Sequence, residues 1–185
     1  MKSDFQHTPS QTVGPFFHLC LTTKQELGRL TAENTPGQRI RLMLRVTDGD
    51  GAPVNDAMIE LWQADSSGNY SVGAGAPFSG FGRLCTDEAG VAMFETIKPG
   101  VVVDPDVGRQ ASHVNVMIFA RGLLKQLVTR IYFQGETEND ADPVLAAVPV
   151  DRRSTLMATR CSESPDTWAL DIRLSGESET VFFDV

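Results

Sequence analysis

A strict alternation of apolar and polar residues is the feature that most constrains the fold of this chain. In RIRLMLRV, residues 39–46, the apolar residues Ile40, Leu42, Leu44 and Val46 alternate with arginine and methionine. A period of two places one set of side chains on one face of a β-strand, so the segment predicts a half-buried strand. The TDGDG at residues 47–51, directly after it, is typical of a turn.

Similar short segments recur along the chain, separated by turns rich in Gly, Pro, Asp and Ser. Long helical periodicity is absent, so we expect only one or two short helices, within 22–30, 143–147 or 151–159. Many short strands with regular turns predict an all-β fold, namely an antiparallel β-sandwich. The remaining strands are expected over residues 57–65, 91–97, 113–120, 127–133, 169–175 and 179–185.

The length of 185 residues suits one substantial core but not two. We therefore predict a single β-sandwich domain over residues 21–185, preceded by an extended arm over residues 1–20. In the arm, Pro9 and Pro15 are expected to block a helix, and the side chain of Phe16 is expected to be buried. We expect the arm to contact a partner subunit, with packing on its own domain as the alternative.

Composition excludes several classes of partner. The net charge of -8 and the pI of about 4.8 argue against nucleic acid, whose binders need a concentrated basic surface. No apolar run approaches the length of a membrane span, and the first residues lack the apolar core of a signal peptide. Cys20, Cys85 and Cys161 form no CxxC pair, which favours reduced thiols. We expect a cytoplasmic protein without a membrane partner.

His113 and Asn115 raise the question of a metal site. They lie two residues apart in HVNV, so both side chains should point to the same face of the strand predicted over 113–120. A His-x-His pair there would hold a metal ion with two imidazoles, but an amide is a poor ligand for ferric or zinc ions. A buried histidine that is hydrogen-bonded to the backbone or to Asn115 is the interpretation favoured by the residues alone.

Arg130 is the second candidate for a functional role. In LVTRIYF, residues 127–133, it shares a strand face with Val128 and Tyr132. A guanidinium group among such neighbours could clamp a substrate carboxylate through a bidentate pair. The alternatives are a solvated arginine and a structural ion pair.

Several segments together resemble the intradiol ring-cleavage dioxygenases. They are TPSQTVGPFFH at 8–18, ELWQAD at 60–65, IKPG at 97–100, HVNVMIFARG at 113–122 and GESETVFFDV at 176–185. The segments follow one another in the family's order over nearly the whole chain. The resemblance implies an antiparallel β-sandwich and α and β chains that pair within larger oligomers.

The resemblance is strongest to the iron-free α chains of the two-chain members. The resemblance implies that the α chain of such a member pairs with a homologous β chain, which holds Fe(III) through two tyrosinates and a His-x-His pair. That chain cleaves protocatechuate with O2 to 3-carboxy-cis,cis-muconate. Phenolates are hard anionic donors that stabilise Fe(III), and the ion binds the two adjacent hydroxyls of the substrate as a catecholate.

Transferred to this sequence, the ligand positions are mostly lost. The His-x-His pair falls on His113 and Asn115, and one tyrosine ligand falls on Val102. The other tyrosine is expected within residues 69–82, where Tyr70 is interpreted as part of a turn that does not match. The resemblance therefore implies that this chain binds no metal and that Fe(III) is held by the partner β subunit.

The resemblance also implies residues that shape the pocket of the partner. Thr12, Gly14, Pro15 and Phe16 are expected to line it, and Arg130 is expected to lie near the carboxylate of the aromatic acid. The alternative function is a stand-alone β-sandwich module that binds or carries a ligand and has lost dioxygenase chemistry.

Overall fold

The computed structural model describes residues 9–70 and 78–184, and of residues 15, 16 and 18 it describes the backbone only. Residues 1–8 of the predicted arm and Val185 thus lie outside the described residues, as do the side chains of Pro15 and Phe16. The described helices are α1 (Pro15–Leu21) and α2 (Pro143–Ala146), with 3-10 turns at Gln25–Gly28, Thr137–Ala141 and Val150–Leu156. Ten strands are described: β1 (Arg39–Thr47), β2 (Met58–Gln63), β3 (Phe81–Cys85), β4 (Val91–Ile97), β5 (Val102–Asp104), β6 (Gly108–Gln110), β7 (His113–Phe119), β8 (Leu127–Phe133), β9 (Met157–Cys161) and β10 (Ser164–Arg173).

Eight of these strands form one sheet that folds onto itself, in the order β3-β2-β7-β8-β9-β10-β1-β4. Its two end strands, β3 and β4, contact each other, and β5 pairs separately with β6. Most neighbours are antiparallel, but β1 pairs with β10 and β8 with β9 in parallel. The predicted all-β sandwich with short helices is confirmed, and the two parallel pairs are an addition to it.

The core lies between the two halves of this sheet. The alternation in β1 is confirmed, because Leu42, Leu44 and Val46 are fully buried. They belong to the same apolar cluster as Ile59 on β2 and Val116 on β7. Full burial of such a side chain stabilises the folded state by roughly 1.5–3 kcal/mol. The cluster therefore holds β2 and β7 in place, with their other side chains on the outer face of the sheet.

The prediction that Pro15 blocks a helix is wrong. Pro15 begins α1, because the first helical position needs no backbone N–H and suits the fixed φ of proline. The two helical turns expected within 22–30 reduce to the 3-10 turn at Gln25–Gly28. Among the described helices, none has the length and apolar character needed to cross a membrane.

Two predictions near the C-terminus are also wrong. The helix expected over 151–159 is a 3-10 turn that gives way to β9, because this segment continues the sheet between β8 and β10. The strand expected over 179–185 is reduced, as far as residue 184, to an isolated bridge between Phe183 and Val128. A backbone bond from Phe183 N to Val128 O at 2.7 Å joins this segment to β8.

The turn after β2 determines what lies over the outer face of the sheet. The carboxylate of Asp65 accepts hydrogen bonds from the backbone N–H groups of Ser67 and Asn69, at 2.8 and 3.0 Å. Gly68 has a φ of +84°, and a Cβ there would lie 1.9 Å from the carbonyl oxygen of Val101. The turn therefore requires glycine both for its left-handed backbone and for close packing against the start of β5.

Replacing Gly68 with alanine should test this packing, with Gly51→Ala as the matched control. Both glycines have a φ of +84°, but no described atom lies within 4 Å of a Cβ at Gly51. We expect Gly51→Ala to lower the free energy of unfolding by about 1–2 kcal/mol, the cost of a left-handed alanine. Gly68→Ala should cost clearly more in urea denaturation, and equal losses would contradict the account.

Candidate functional site

The outer face of β2, β7 and β8 carries the polar residues that the sequence singled out. The strand register places Trp62, Asn115 and Arg130 side by side, and it places His113 opposite Tyr132. The prediction that His113 and Asn115 share a face is therefore confirmed. Arg130 and Tyr132 also share a face, as predicted, and it is the same face.

Tyr70 reaches this face from the turn after β2. Its hydroxyl group lies 3.2 Å from His113 Nε2 and 3.0 Å from Asn115 Nδ2, and its ring stacks on Trp62 with a centroid distance of 5.8 Å. The interpretation of Tyr70 as a turn residue is confirmed, but the sequence did not predict that the turn would bring its hydroxyl group to the ligand positions. Tyr70 joins the two positions at which the family's His-x-His pair falls.

The hydrogen-bond partners of His113 determine which group donates and which accepts in each bond of this network. His113 is 1% exposed, and its Nδ1 lies 2.7 Å from the carbonyl oxygen of Ala111, which can only accept. In the neutral ring Nε2 is then the acceptor, so Tyr70 donates to His113 while Asn115 donates to the Tyr70 oxygen. Burial and the charge of Arg130 both lower the pKa of His113, which keeps the imidazole neutral near pH 7.

A buried carboxylate supports the other end of the network. Asp142 is fully buried and accepts hydrogen bonds from the Tyr132 hydroxyl at 3.1 Å, from Ala111 N at 2.7 Å and from Leu145 N at 2.8 Å. The bond from Leu145 N caps α2. The Asp142 side chain therefore links α2 to Tyr132 on β8 and to Ala111, whose carbonyl oxygen orients His113. Burial, and next the charge of Asp142, raise the pKa of Tyr132, so its hydroxyl stays protonated.

Arg130 is held on this face by Gln110, a residue that is itself 4% exposed. One guanidinium nitrogen donates to Gln110 Oε1 at 2.7 Å. Burial raises the pKa of Tyr70, and the hydrogen bond from Asn115 and the positive charge of Arg130 partly oppose that rise. Arg130 is therefore close enough to act on both Tyr70 and His113.

These residues do not fit a ferric ion. Such a site needs several hard or imidazole donors, yet Asn115 offers a neutral amide and Val102, on β5, is apolar and buried. The imidazole and the phenol that remain are bonded to each other, and a guanidinium group lies beside them. Within the described part of the chain, no group of three or more His, Cys, Asp and Glu side chains could hold a metal ion.

The arm packs against the opposite end of the same outer face. Thr12 Oγ1 accepts a hydrogen bond from Gly122 N at 2.8 Å, and the rings of Phe17 and Phe119 lie 5.4 Å apart. Beside the arm is a mostly apolar cavity of about 380 Å³, lined by Val13, Gly14, Phe17, Leu19, Asp56, Met58, Phe119 and Arg121. Arg121 forms an ion pair with Asp56 and keeps 73% of its side chain exposed.

The structure thus brings Thr12 and Gly14 together with Arg121, and it does not bring them to Arg130. Phe119, which contacts the arm, follows Asn115 by four residues on β7, or about 13 Å along the strand. Arg130 lies opposite Asn115. This separation exceeds the length of a single-ring aromatic acid. Sequence reasoning missed both Arg121 and Tyr70.

Comparison with known proteins agrees with this geometry. The family model described as Dioxygenase matches residues 12–176, which is most of the chain. This chain belongs to the intradiol dioxygenase family. It is 42% identical over 192 residues to the protocatechuate 3,4-dioxygenase alpha chain of Pseudomonas putida, a match that covers 96% of each chain.

Family members of a second kind are also similar. The beta chain of protocatechuate 3,4-dioxygenase from Burkholderia cepacia is 30% identical over 159 residues, which cover 78% of this chain and 67% of that one. A solved dioxygenase domain from Streptomyces sp. SirexAA-E superimposes with a TM-score of 0.65 at 24% identity, covering 91% of this chain and 99% of that chain. The structural likeness supports the fold alone.

Removing the Tyr70 hydroxyl tests the network. Tyr70→Phe leaves the buried acceptor of His113 and the amide of Asn115 without this partner, so we expect a loss of about 1–3 kcal/mol in the free energy of unfolding. In an Asn115→Ala background the same change should cost less, because one of its bonds is already gone. Strictly additive losses in urea denaturation would contradict the coupling of the two residues.

Proposed function

We propose that this chain is the metal-free subunit of a two-chain intradiol dioxygenase. A homologous partner β subunit holds Fe(III) and cleaves protocatechuate with O2 to 3-carboxy-cis,cis-muconate. The observation that carries the proposal is the donor set at the family's ligand positions, where Asn115 on β7 and Val102 on β5 replace ligands in a chain otherwise similar to an alpha chain throughout. An ordinary dioxygenase acting by itself would need those ligands.

The contribution of this chain is to shape the pocket of the partner. We divide it, as the sequence suggested, into an arm over residues 1–20 that contacts the partner and a β-sandwich domain over residues 21–185. Thr12, Gly14, Pro15 and Phe16 are the arm residues proposed to line the pocket. The anchoring of Thr12 on Gly122 supports this role, because it fixes the arm backbone before a partner binds.

The surroundings of Gly14 support a contact with something outside this chain. Gly14 is exposed, and no described atom lies within 4 Å of the position that a Cβ would occupy. Its backbone has a negative φ, unlike the glycines that need a left-handed conformation. A glycine that its own chain does not require is reasonable where a substrate ring or a partner backbone must approach closely.

Two arginines on the outer face could meet the carboxylate of the aromatic acid. Arg121 lies with Gly14 at the arm cavity and stays largely exposed although it pairs with Asp56, whereas Arg130 is bonded to Gln110 at the other end of the face. These positions favour Arg121 for a pocket that the arm completes. The assignment of the carboxylate to Arg130 stays a prediction, and substitution of each arginine separates the two.

Gly14→Ala should act only in the complex. Because the added methyl group meets open space in this chain, we expect an unchanged free energy of unfolding for the chain alone. In the complex with the iron-binding β chain, the same methyl group should lower kcat/KM for protocatechuate at least tenfold while the iron content per complex stays constant. Unchanged kinetics would remove Gly14 from the pocket. Failure of the unaltered chain to associate with a β chain would favour the stand-alone binding module.

Arg121→Ala and Arg130→Ala should be compared in that same complex. A hydrogen bond to a charged group is worth about 1.5–3 kcal/mol, so loss of the carboxylate contact should raise KM roughly tenfold to hundredfold. We expect this rise for Arg121→Ala, with catechol, which lacks the carboxylate, as the substrate that shows no such change. A rise confined to Arg130→Ala would instead assign the carboxylate to Arg130.

A further inference from the structure

Arg130 occupies a position with a direct relation to the lost metal ligand. In the antiparallel pairing of β7 with β8, Arg130 lies opposite Asn115, and both side chains are on the outer face. Asn115 stands at the second place of the family's His-x-His pair. The guanidinium group is thus fixed beside the position where an iron-binding chain would hold its cation.

Arg130 is held in this position by a residue of its own chain. Gln110 accepts one of its N–H groups at 2.7 Å, and Gln110 is 4% exposed, so the accepting oxygen is part of the packed structure. Both groups that could still ligate a metal are also engaged. The Tyr70 hydroxyl points at His113 Nε2, and the other imidazole nitrogen is bonded to Ala111.

We propose that Arg130 supplies, as a fixed part of the fold, the positive charge that a metal ion brings in iron-binding relatives, and that it thereby excludes metal ions from this site. The inference goes beyond the proposed function, which requires only that iron be held elsewhere. Loss of ligands alone would leave a weak site, whereas a guanidinium group repels any cation that approaches Tyr70 and His113.

The test restores the missing imidazole with and without the positive charge. The variants are Asn115→His, Asn115→His with Arg130→Gln, and Asn115→His with Arg130→Lys, each in the full chain. The probe is Co²⁺, titrated into purified protein and followed by its visible absorption and by calorimetry. Circular dichroism and thermal unfolding establish that each variant is folded.

We expect Asn115→His to bind Co²⁺ no better than the unaltered chain, and the lysine variant to behave in the same way. Removal of the charge in the glutamine variant should tighten binding at least tenfold. Equal Co²⁺ affinities of Asn115→His with arginine, lysine or glutamine at position 130 would overturn the proposal, whether that affinity is high or negligible.

A second pair of variants keeps the proposal testable if the added histidine prevents folding. Arg130→Glu replaces the positive charge by a carboxylate beside His113 and Tyr70, whereas Arg130→Gln only removes the charge. We expect Arg130→Glu to bind Co²⁺ at least tenfold more tightly than the unaltered chain, with Arg130→Gln between them. An unchanged affinity in Arg130→Glu would overturn the proposal. None of these measurements involves the partner subunit, so their failure leaves the proposed function untouched.

Discussion

The register of β7 between β2 and β8 is the constraint on which the rest of the structure depends. The side chains of Val114, Val116 and Ile118 are fully buried in the core, and they fix which residues of β7 face outward. A shift by one residue would turn Asn115 toward the core and these three apolar side chains away from it. The same register aligns Trp62, Asn115 and Arg130 across three strands, so apolar packing inside determines the polar arrangement outside.

The outer face divides into two ends with different properties. At one end Tyr70 is hydrogen-bonded to His113 and Asn115, Arg130 is held by Gln110, and the buried carboxylate of Asp142 supports the group. At the other end the arm leaves an apolar cavity with an exposed arginine at its margin. The first end is closed by its own residues, and the second is open to another molecule. This division is what we expect of a subunit that has lost its metal and kept a binding surface.

Much of the fold could be predicted from the sequence because alternation reports burial directly. The strand β1, the shared face of His113 and Asn115, and the shared face of Arg130 and Tyr132 required nothing more than a period of two. The two parallel strand pairs could not be predicted in this way, because periodicity does not show which strands become neighbours. The strand β9 was missed because its short segment follows a 3-10 turn without a pattern of its own.

The site was predicted only where its residues lie on strands. Tyr70 comes from a turn, and its position depends on Gly68, on the Asp65 hydrogen bonds and on stacking with Trp62. A tyrosine two residues after a glycine, in the turn that follows a predicted strand, was the available signal. Arg121 was missed for a similar reason, since its relation to the arm arises only when residue 12 bonds to residue 122.

The central claim is that iron in the assembled enzyme is bound by the partner subunit and not by this chain. Anomalous diffraction at the iron absorption edge, from crystals of this chain complexed with its iron-binding homologue, tests that claim most directly. We expect one anomalous peak per pair of chains, within the partner subunit, and none near Tyr70 and His113. A peak within bonding distance of His113 Nε2 would contradict it.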